Sequence, residues 1–430
     1  MSSNKPILSL LPFAVFLLLY LGTGITLEMQ GEADAFYQFP PAAAALLAIA
    51  PALAVYWRDL EGVIQTFLRG MAESTVIIMC LIFLLAGAFS AVTKAMGGVE
   101  STVNLGLTLL PSHWLLPGFF LIACCVSLAI GTSMGTIGTV APIALGVAAK
   151  AGLPIPLTMG VVVGGAMFGD NLSAISDTTI AATMTQGAAM KDKMRVNFRF
   201  ALPAAAIVVA LLLLNAEPAA AVGDKPFSLI KTLPYAVVLA LSVAGVNVVL
   251  VLLTGILFAG LVGFATGSLG FLQFGKAIYD GFLSMADIYF LSSIVAGLAS
   301  VATQYGGLNY LLSGVLKLVR SKRSAETALA VMVSVADLCI ANNVIAILVT
   351  GKLSKELSER FAITPARAAN LLDIYSCFWQ GILPYGAQLL LAGSLAHISP
   401  VQIMPHVWYV FVLGLITTLT IALGRGAGTR

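Results

Sequence analysis

Charge is what this sequence has least of. Of its 430 residues, 10% are charged, against about a quarter in soluble proteins. Beside a hydrophobic fraction of 59%, that scarcity excludes a water-soluble domain. Histidine is rarer still: His113, His397 and His406 stand near span ends or in loops, so no chemistry is assigned to them. The five cysteines (Cys80, Cys124, Cys125, Cys339, Cys377) lie in apolar stretches without metal-ligand spacing and read as small buried hydrophobes. A nucleotide-binding loop is missing, which excludes ATP-driven pumping by this chain. The polar connections are too short to hold a catalytic or nucleic-acid-binding appendage. No enzyme activity, no cofactor and no nucleic-acid partner are expected.

What is present is long apolar runs, among them Ile7–Ile25, Val237–Leu253 and Trp408–Leu423. A span of the hydrocarbon layer needs ~20 apolar residues. Backbone polar groups there must be satisfied internally, and the alternation of a β-barrel is missing, so an all-α polytopic membrane protein is predicted. Ten full spans are expected: 7–26, 40–57, 75–92, 154–190 (interrupted), 198–216, 233–250, 252–270, 282–302, 365–396 (interrupted) and 404–423. Lys5 before the first span imitates a secretory leader. No small-residue cleavage site follows it, so that span is kept.

The two halves of the chain are alike. Met71-Ala72-Glu73 resembles Met285-Ala286-Asp287. Gly97-Gly98 and Gly306-Gly307 lie 209 positions apart, as do Pro156 and Pro365. Basic residues mark cytoplasmic loops. Lys191, Lys193, Arg195 and Arg199 follow the first repeat, whereas the equivalent stretch 399–408 has no Lys or Arg. Lys317, Arg320, Lys322 and Arg323 sit within the second repeat, and their equivalent 108–114 has none. Each half is basic where the other is not, as inverted-topology repeats should be. Lys5, Arg58, Arg69, Arg425 and Arg430 then place both termini inside, with Glu28, Glu32 and Asp34 outside.

Two segments are too short to span. Residues 115–130 make about 24 Å of helix and residues 325–339 about 22 Å, at 1.5 Å per residue, against a core of ~30 Å. Each ends in a polar break, Gly131-Thr132-Ser133 and Ala341-Asn342-Asn343, followed by a second short helix over 136–150 and 344–357. Both pairs are predicted to be re-entrant hairpins, the first from outside and the second from inside, with tips meeting near the midplane. The expected organisation is N-terminal scaffold spans over 1–70 and a first repeat over 71–216, with hairpin 115–150 and broken span 154–190. Connecting spans follow over 217–281. The second repeat covers 282–430, with hairpin 325–358 and broken span 365–396.

The first tip carries Gly131, Gly135 and Gly138 on one helical face, with Thr132, Thr136 and Thr139 beside them. The glycines fit helix packing or close ligand approach. Thr132 and Ser133, at the break, fit a small cation's oxygen ligands. The next span carries Asp170, Asn171, Ser173 and Asp177. A mid-membrane charge costs at least ~2.5–3.5 kcal/mol and therefore faces a cavity or partner. A carboxylate with hydroxyls is a hard-oxygen site for a small cation, or a proton acceptor. For Asp177 a plain helix start is the competing reading. In the second half, neutral groups replace the carboxylates: Asn342, Asn343, Gln380, Tyr385 and Gln388. Pro384 and Gly386 break a helix on their own account. Asp337 and Asp373 are candidate charge partners or ordinary interior hydrogen-bonders, and Glu73 and Asp287 are expected to be interfacial caps.

At these motifs the sequence resembles the NhaC-type sodium/proton antiporter family. The resemblance is carried by Gly131-Thr132-Ser133-Met134-Gly135-Thr136, by Gly152-Leu153-Pro154-Ile155-Pro156, and by Phe168-Gly169-Asp170 through Ser176-Asp177-Thr178-Thr179. It implies membership of the ion-transporter superfamily. A dimerising scaffold domain and a transport domain that moves like an elevator follow from that membership. The superfamily's anion/sodium symporters carry Ser-Asn-Thr tips; Thr132-Ser133 and Asn342-Asn343 are similar in place, but the second tip lacks the Ser and Thr. Members of this type include exchangers and transporters of organic acids and amino acids.

The resulting expectation is a sodium- and/or proton-coupled secondary active transporter in the inner membrane. The cation is expected at Thr132, Ser133, Asp170, Asn171, Ser173 and Asp177. A substrate pocket is expected at Thr136, Asn342, Asn343, Gln380, Tyr385 and Gln388. Amide donors are superfluous for a bare cation and lean towards a small amino acid or carboxylate. The absence of an intramembrane arginine clamp disfavours a dianion. Strict Na+/H+ exchange at Asp170/Asp177 is the alternative, with a channel or an intramembrane enzyme behind it. The expected partners are the bilayer, the transported solute with Na+ and/or H+, and a second copy of the chain.

Overall fold

A computed structural model describes residues 6–30, 38–109, 111–173, 176–215, 227–244 and 246–424. Lys5, Glu32, Asp34, Arg425 and Arg430, used above for orientation, lie outside the described residues, as do Ala174 and Ile175 of the first break. Among the described residues every regular element is helical.

The N-terminal part comprises α1 (Pro6–Leu27) and α2 (Pro41–Val55), α3 (Leu60–Met71), α4 (Ser74–Ala95) and α5 (Gly98–Leu109). Two packed helices follow, α6 (Leu115–Ile130) and α7 (Ser133–Ala151). Then come α8 (Ile155–Leu172) and α9 (Asp177–Gln186), separated by a break, and α10 (Met190–Leu214). The connecting part holds α11 (Leu229–Val243), α12 (Val248–Ala265) and α13 (Phe271–Ser284). The remainder is α14 (Ala286–Gln304), α15 (Gly307–Leu316), α16 (Lys322–Ile340), α17 (Asn343–Arg360), α18 (Pro365–Ile382), α19 (Ala387–Ala396) and α20 (Trp408–Ala422).

Among the described residues, seven helices are long and apolar enough to cross a membrane, or up to nine if each of two bent pairs counts as one. The expected ten is lowered for identifiable reasons. After α2 the chain bends by 94° into the segment containing α3, which carries Glu61 and Arg69 in its first and last turns. The 233–250 run stops at Val243, because Asn247 caps the next helix with its side chain, accepting from the Val249 amide at 2.9 Å. The last run contracts to 15 residues in α20, because Met404–His406 forms a separate short turn before it, in a segment bent by 103° from Pro365–Ala396. Helix α7, expected to be short, has 19 residues and is long and apolar enough to cross a membrane.

Both expected tips form as tight helix-to-helix turns. In the first, Gly131 adopts a left-handed conformation (φ +76°) and Thr132 is extended before α7. In the second, Ala341 takes the same conformation (φ +53°) and Asn342 is extended before α17. Glycine meets that backbone freely, whereas alanine is strained by about 1–2 kcal/mol. Both broken spans also form, with breaks between Leu172 and Asp177 and between Ile382 and Ala387. The starts of α7 and α17, of α8 and α18, and of α9 and α19 lie 210 positions apart in each case. The structure therefore pairs Pro365 with Ile155, one residue from the Pro156 match.

Helix α8 is the centre: every residue from Thr158 to Leu172 is buried. Its glycines allow this. A Cβ at Gly165 would lie 2.6 Å from the Phe120 carbonyl of α6, and one at Gly169 would fall inside Ser127. The Ser127 hydroxyl closes this contact by donating to the Ala166 carbonyl at 2.5 Å. Gly135 and Gly138 serve packing too, against Val248 and Ala86 respectively.

Candidate functional site

The two tips and the two breaks converge on one cavity of about 130 Å³. Its polar lining is Thr132, Ser133, Asp170, Ser176, Asp177, Thr178, Asn342, Asn343, Gln380 and Gln388. Eight of the twelve site residues expected from sequence are in that set.

A hydrogen-bond chain runs from the first half to the second. Asp170 Oδ1 accepts from the Ser133 backbone amide at 2.9 Å, an anion on a helix N-terminus. The Ser133 hydroxyl accepts from Gln388 Nε2 at 3.0 Å. Gln388 Oε1 accepts from Gln380 Nε2 at 2.8 Å. Gln380 Nε2 also reaches the Ala341 carbonyl of the second tip at 3.3 Å, while its own Oε1 is buried without a partner. Thr178 and Thr179 hydroxyls donate to the Asp170 carbonyl at 3.0 and 3.3 Å. The break after Asp170 is therefore held by side chains where the helical ladder stops. Asp177 begins α9 and is exposed, lining the cavity.

Four expected residues lie elsewhere. Ser173 donates to the Leu128 carbonyl at 2.8 Å. Thr136 donates back to the Thr132 carbonyl at 3.0 Å within its own helix. Tyr385 donates to the Leu338 carbonyl at 2.7 Å. It lines a second cavity of about 240 Å³ with Arg69, Glu73, Ser292, Thr303 and Asn342. The two cavities share Met79, Ala341, Asn342 and Ala387 as a common wall. Glu73 caps α4, accepting from the Val76 amide at 3.3 Å, as expected.

Asn171 faces away from the tips, into a buried ion-pair network that the sequence reading did not foresee. Lys193 is fully buried and bonds Asp373 Oδ2 at 2.9 Å, the Asn171 carbonyl at 3.0 Å and Thr179 Oγ1 at 2.5 Å. Lys193 is thus a core residue and leaves the set of loop charges used for orientation; Lys191, Arg195 and Arg199 remain exposed. Asp373, left open above between charge partner and hydrogen-bonder, is an ion-pair partner that also accepts from Asn197 at 2.7 Å and Asn171 at 3.3 Å. The network continues from Asn197 to Asn370 at 2.7 Å, to Arg367 at 2.9 Å, and to Glu326 at 3.0 Å. Arg367 is an arginine buried in the interior. It is committed to Glu326 and does not line either cavity. The signal was legible: Arg367, Asn370 and Asp373 recur every three residues on an apolar helix, and Lys193 and Asn197 recur at four.

The sequence profile of the Na+/H+ antiporter family matches the chain twice, over residues 6–216 and 215–425. The Na+/H+ antiporter NhaC of Bacillus subtilis is 25% identical over 84% of this chain and 86% of its own. The malate-2H+/Na+-lactate antiporter of the same organism is 23% identical over 93% of this chain and 90% of its own. Among solved structures, the Alcanivorax borkumensis YdaH transporter aligns with a TM-score of 0.44 and 15% identity, covering 98% of this chain and 100% of that one. With its apolar helices, the family match and the antiporter relatives in sequence make the chain a multi-pass membrane protein.

Proposed function

The chain belongs to the Na+/H+ antiporter family, and on that premise we propose a cation-coupled secondary active transporter whose sodium site is the cavity between the two tips. One observation carries the reading: a buried carboxylate, Asp170, is held on the amide of one tip and tied through Gln388 and Gln380 to the other. Thr132, Ser133, Asp170 and Asp177 supply hard oxygen around the space, the donor chemistry sodium requires. Ser173 and Asn171 act behind them, holding the break and its charge. The inverted-repeat reading is supported by the doubled profile match, whose two copies begin 209 residues apart, and by the recurring helix starts. In this reading 71–216 and 282–430 are the paired repeats, 1–70 and 217–281 are scaffold and connection, and the repeats move as an elevator. Both termini are cytoplasmic, in the inner membrane, and a second copy pairs through the scaffold.

The second cavity favours an organic co-substrate over bare Na+/H+ exchange. Its walls are mostly apolar, with Arg69 and Glu73 on one side and Asn342 shared with the cation cavity. A small carboxylate or amino acid fits that chemistry. Tyr385 and the amides of Asn342, Asn343, Gln380 and Gln388 would complete its pocket, with Thr136 bracing the first tip. The malate/lactate relative is compatible with it.

Reconstituted proteoliposomes test the reading under imposed Na+ and pH gradients, with and without lactate or small amino acids. Gradient-dependent flux is expected, and Asp170→Asn should abolish its Na+ dependence. Unchanged Na+ dependence in that variant removes Asp170 from the site.

A further inference from the structure

Among the described residues, six charged side chains are buried: Asp170, Lys193, Glu326, Asp337, Arg367 and Asp373. Lys193 neutralises Asp373 and Arg367 neutralises Glu326. Two acids are left over without a base, Asp170 and Asp337. A charge inside a membrane protein pairs, neutralises or faces water.

The two leftovers differ in their surroundings. Asp170 has a backbone amide and a cavity at its side. Asp337 is fully buried on α16, one turn before the second tip, and neither of its oxygens has a hydrogen-bond partner. It lines neither cavity described above. It lies against the Gln380 backbone. Cys377 and Tyr385 are titratable neighbours of it, and neither is a base. No lysine, arginine or histidine of α14, α15, α17, α18 or α20, which pack against α16, forms an ion pair with it. A sodium ion needs several oxygen ligands and the space to seat them. A proton needs only the carboxylate.

We propose that Asp337 is a proton-binding site, distinct from the cation cavity at Asp170, and that the proton moved by this transporter is carried there. With one metal cation at Asp170 and one proton at Asp337, the buried charges sum to zero. Gln380 joins the two sites: its backbone lies beside Asp337, and its side chain heads the hydrogen-bond chain to Asp170.

The inference rests on the cation-coupled reading above, and full-length protein in proteoliposomes separates the two. Asp337→Asn should keep Na+ binding, read as Na+-dependent thermal stabilisation, and lose proton movement driven by a Na+ gradient, down to the level of empty vesicles. Asp170→Asn should lose the Na+ stabilisation. Wild-type protein that neither binds Na+ nor moves it overturns the parent reading. Wild-type protein that moves Na+ without protons, or an Asp337→Asn variant that moves protons at the wild-type rate, overturns the Asp337 assignment alone. If Asp337→Asn does not fold, infrared spectroscopy of Asp170→Asn decides the matter. A protonated carboxyl band insensitive to Na+ supports the assignment, and its absence overturns it.

Discussion

The Lys193–Asp373 pair gives the sharpest quantitative test of the interior. Both side chains have no solvent exposure. Lys193 spends its ammonium on three acceptors, the Asp373 carboxylate, the Asn171 carbonyl and the Thr179 hydroxyl. Lys193→Met keeps the aliphatic stem and removes the charge. Asp373 then retains the Asn197 and Asn171 amides but loses its counter-charge, and its Oδ1 already lacks a partner. Leaving one charge of a buried pair uncompensated costs about 3–5 kcal/mol. Adding Asp373→Asn removes the orphaned charge while an amide oxygen still accepts from Asn197, so the double variant should recover most of the loss. Its residual deficit is about 1–3 kcal/mol, from the imperfectly satisfied amide. Lys191→Met, two residues away and exposed, removes the same formal charge and should stay within about 0.5 kcal/mol of wild type. Unfolding of the purified protein in detergent measures all three. A Lys193→Met variant within about 1 kcal/mol of wild type, or a double variant no better than the single, would refute the reasoning.

Three further perturbations probe the site and the frame around it. Gly169→Ala should destabilise by at least about 1–3 kcal/mol, the usual cost of overpacking, because its Cβ would collide with Ser127; a thermal shift below that scale counts against the α6–α8 contact. Asn342→Ala should cost about 1 kcal/mol of stability by removing a helix cap, since Asn342 Oδ1 accepts from the Ile345 amide at 3.1 Å. Thr132 caps α7 without a side-chain bond, so Thr132→Ala should spare stability and instead weaken Na+-dependent stabilisation. Equal stability losses in the two variants would remove the distinction between a tip residue that caps its helix and one that does not.

Much of the candidate site was legible as composition out of place. Asp170 stands out because carboxylates are rare in apolar helices, and Thr132-Ser133 and Asn342-Asn343 stand out because each interrupts an apolar segment. Asn171 stands next to Asp170, and Ser173 would share its face if the helix ran on. Neighbours on a helix point different ways, so Asn171 meets Asp373, and the helix stops at Leu172, so Ser173 meets the Leu128 carbonyl. Lys193 was misjudged for a related reason. It shares a run with Lys191, Arg195 and Arg199, and only helical phase separates the one buried member from its exposed neighbours.

By itself the sequence determined the all-helical membrane class, the two polar tips and the two helix breaks. These follow from hydropathy, helix breakers and spacing, which act locally along the chain. Tertiary structure alone decided which polar side chains meet. Ser133 finds Gln388 across 255 positions and Lys193 finds Asp373. Each buried charge's fate, whether paired, facing a cavity or left alone as Asp337 is, depends on partners delivered by helices distant in the chain.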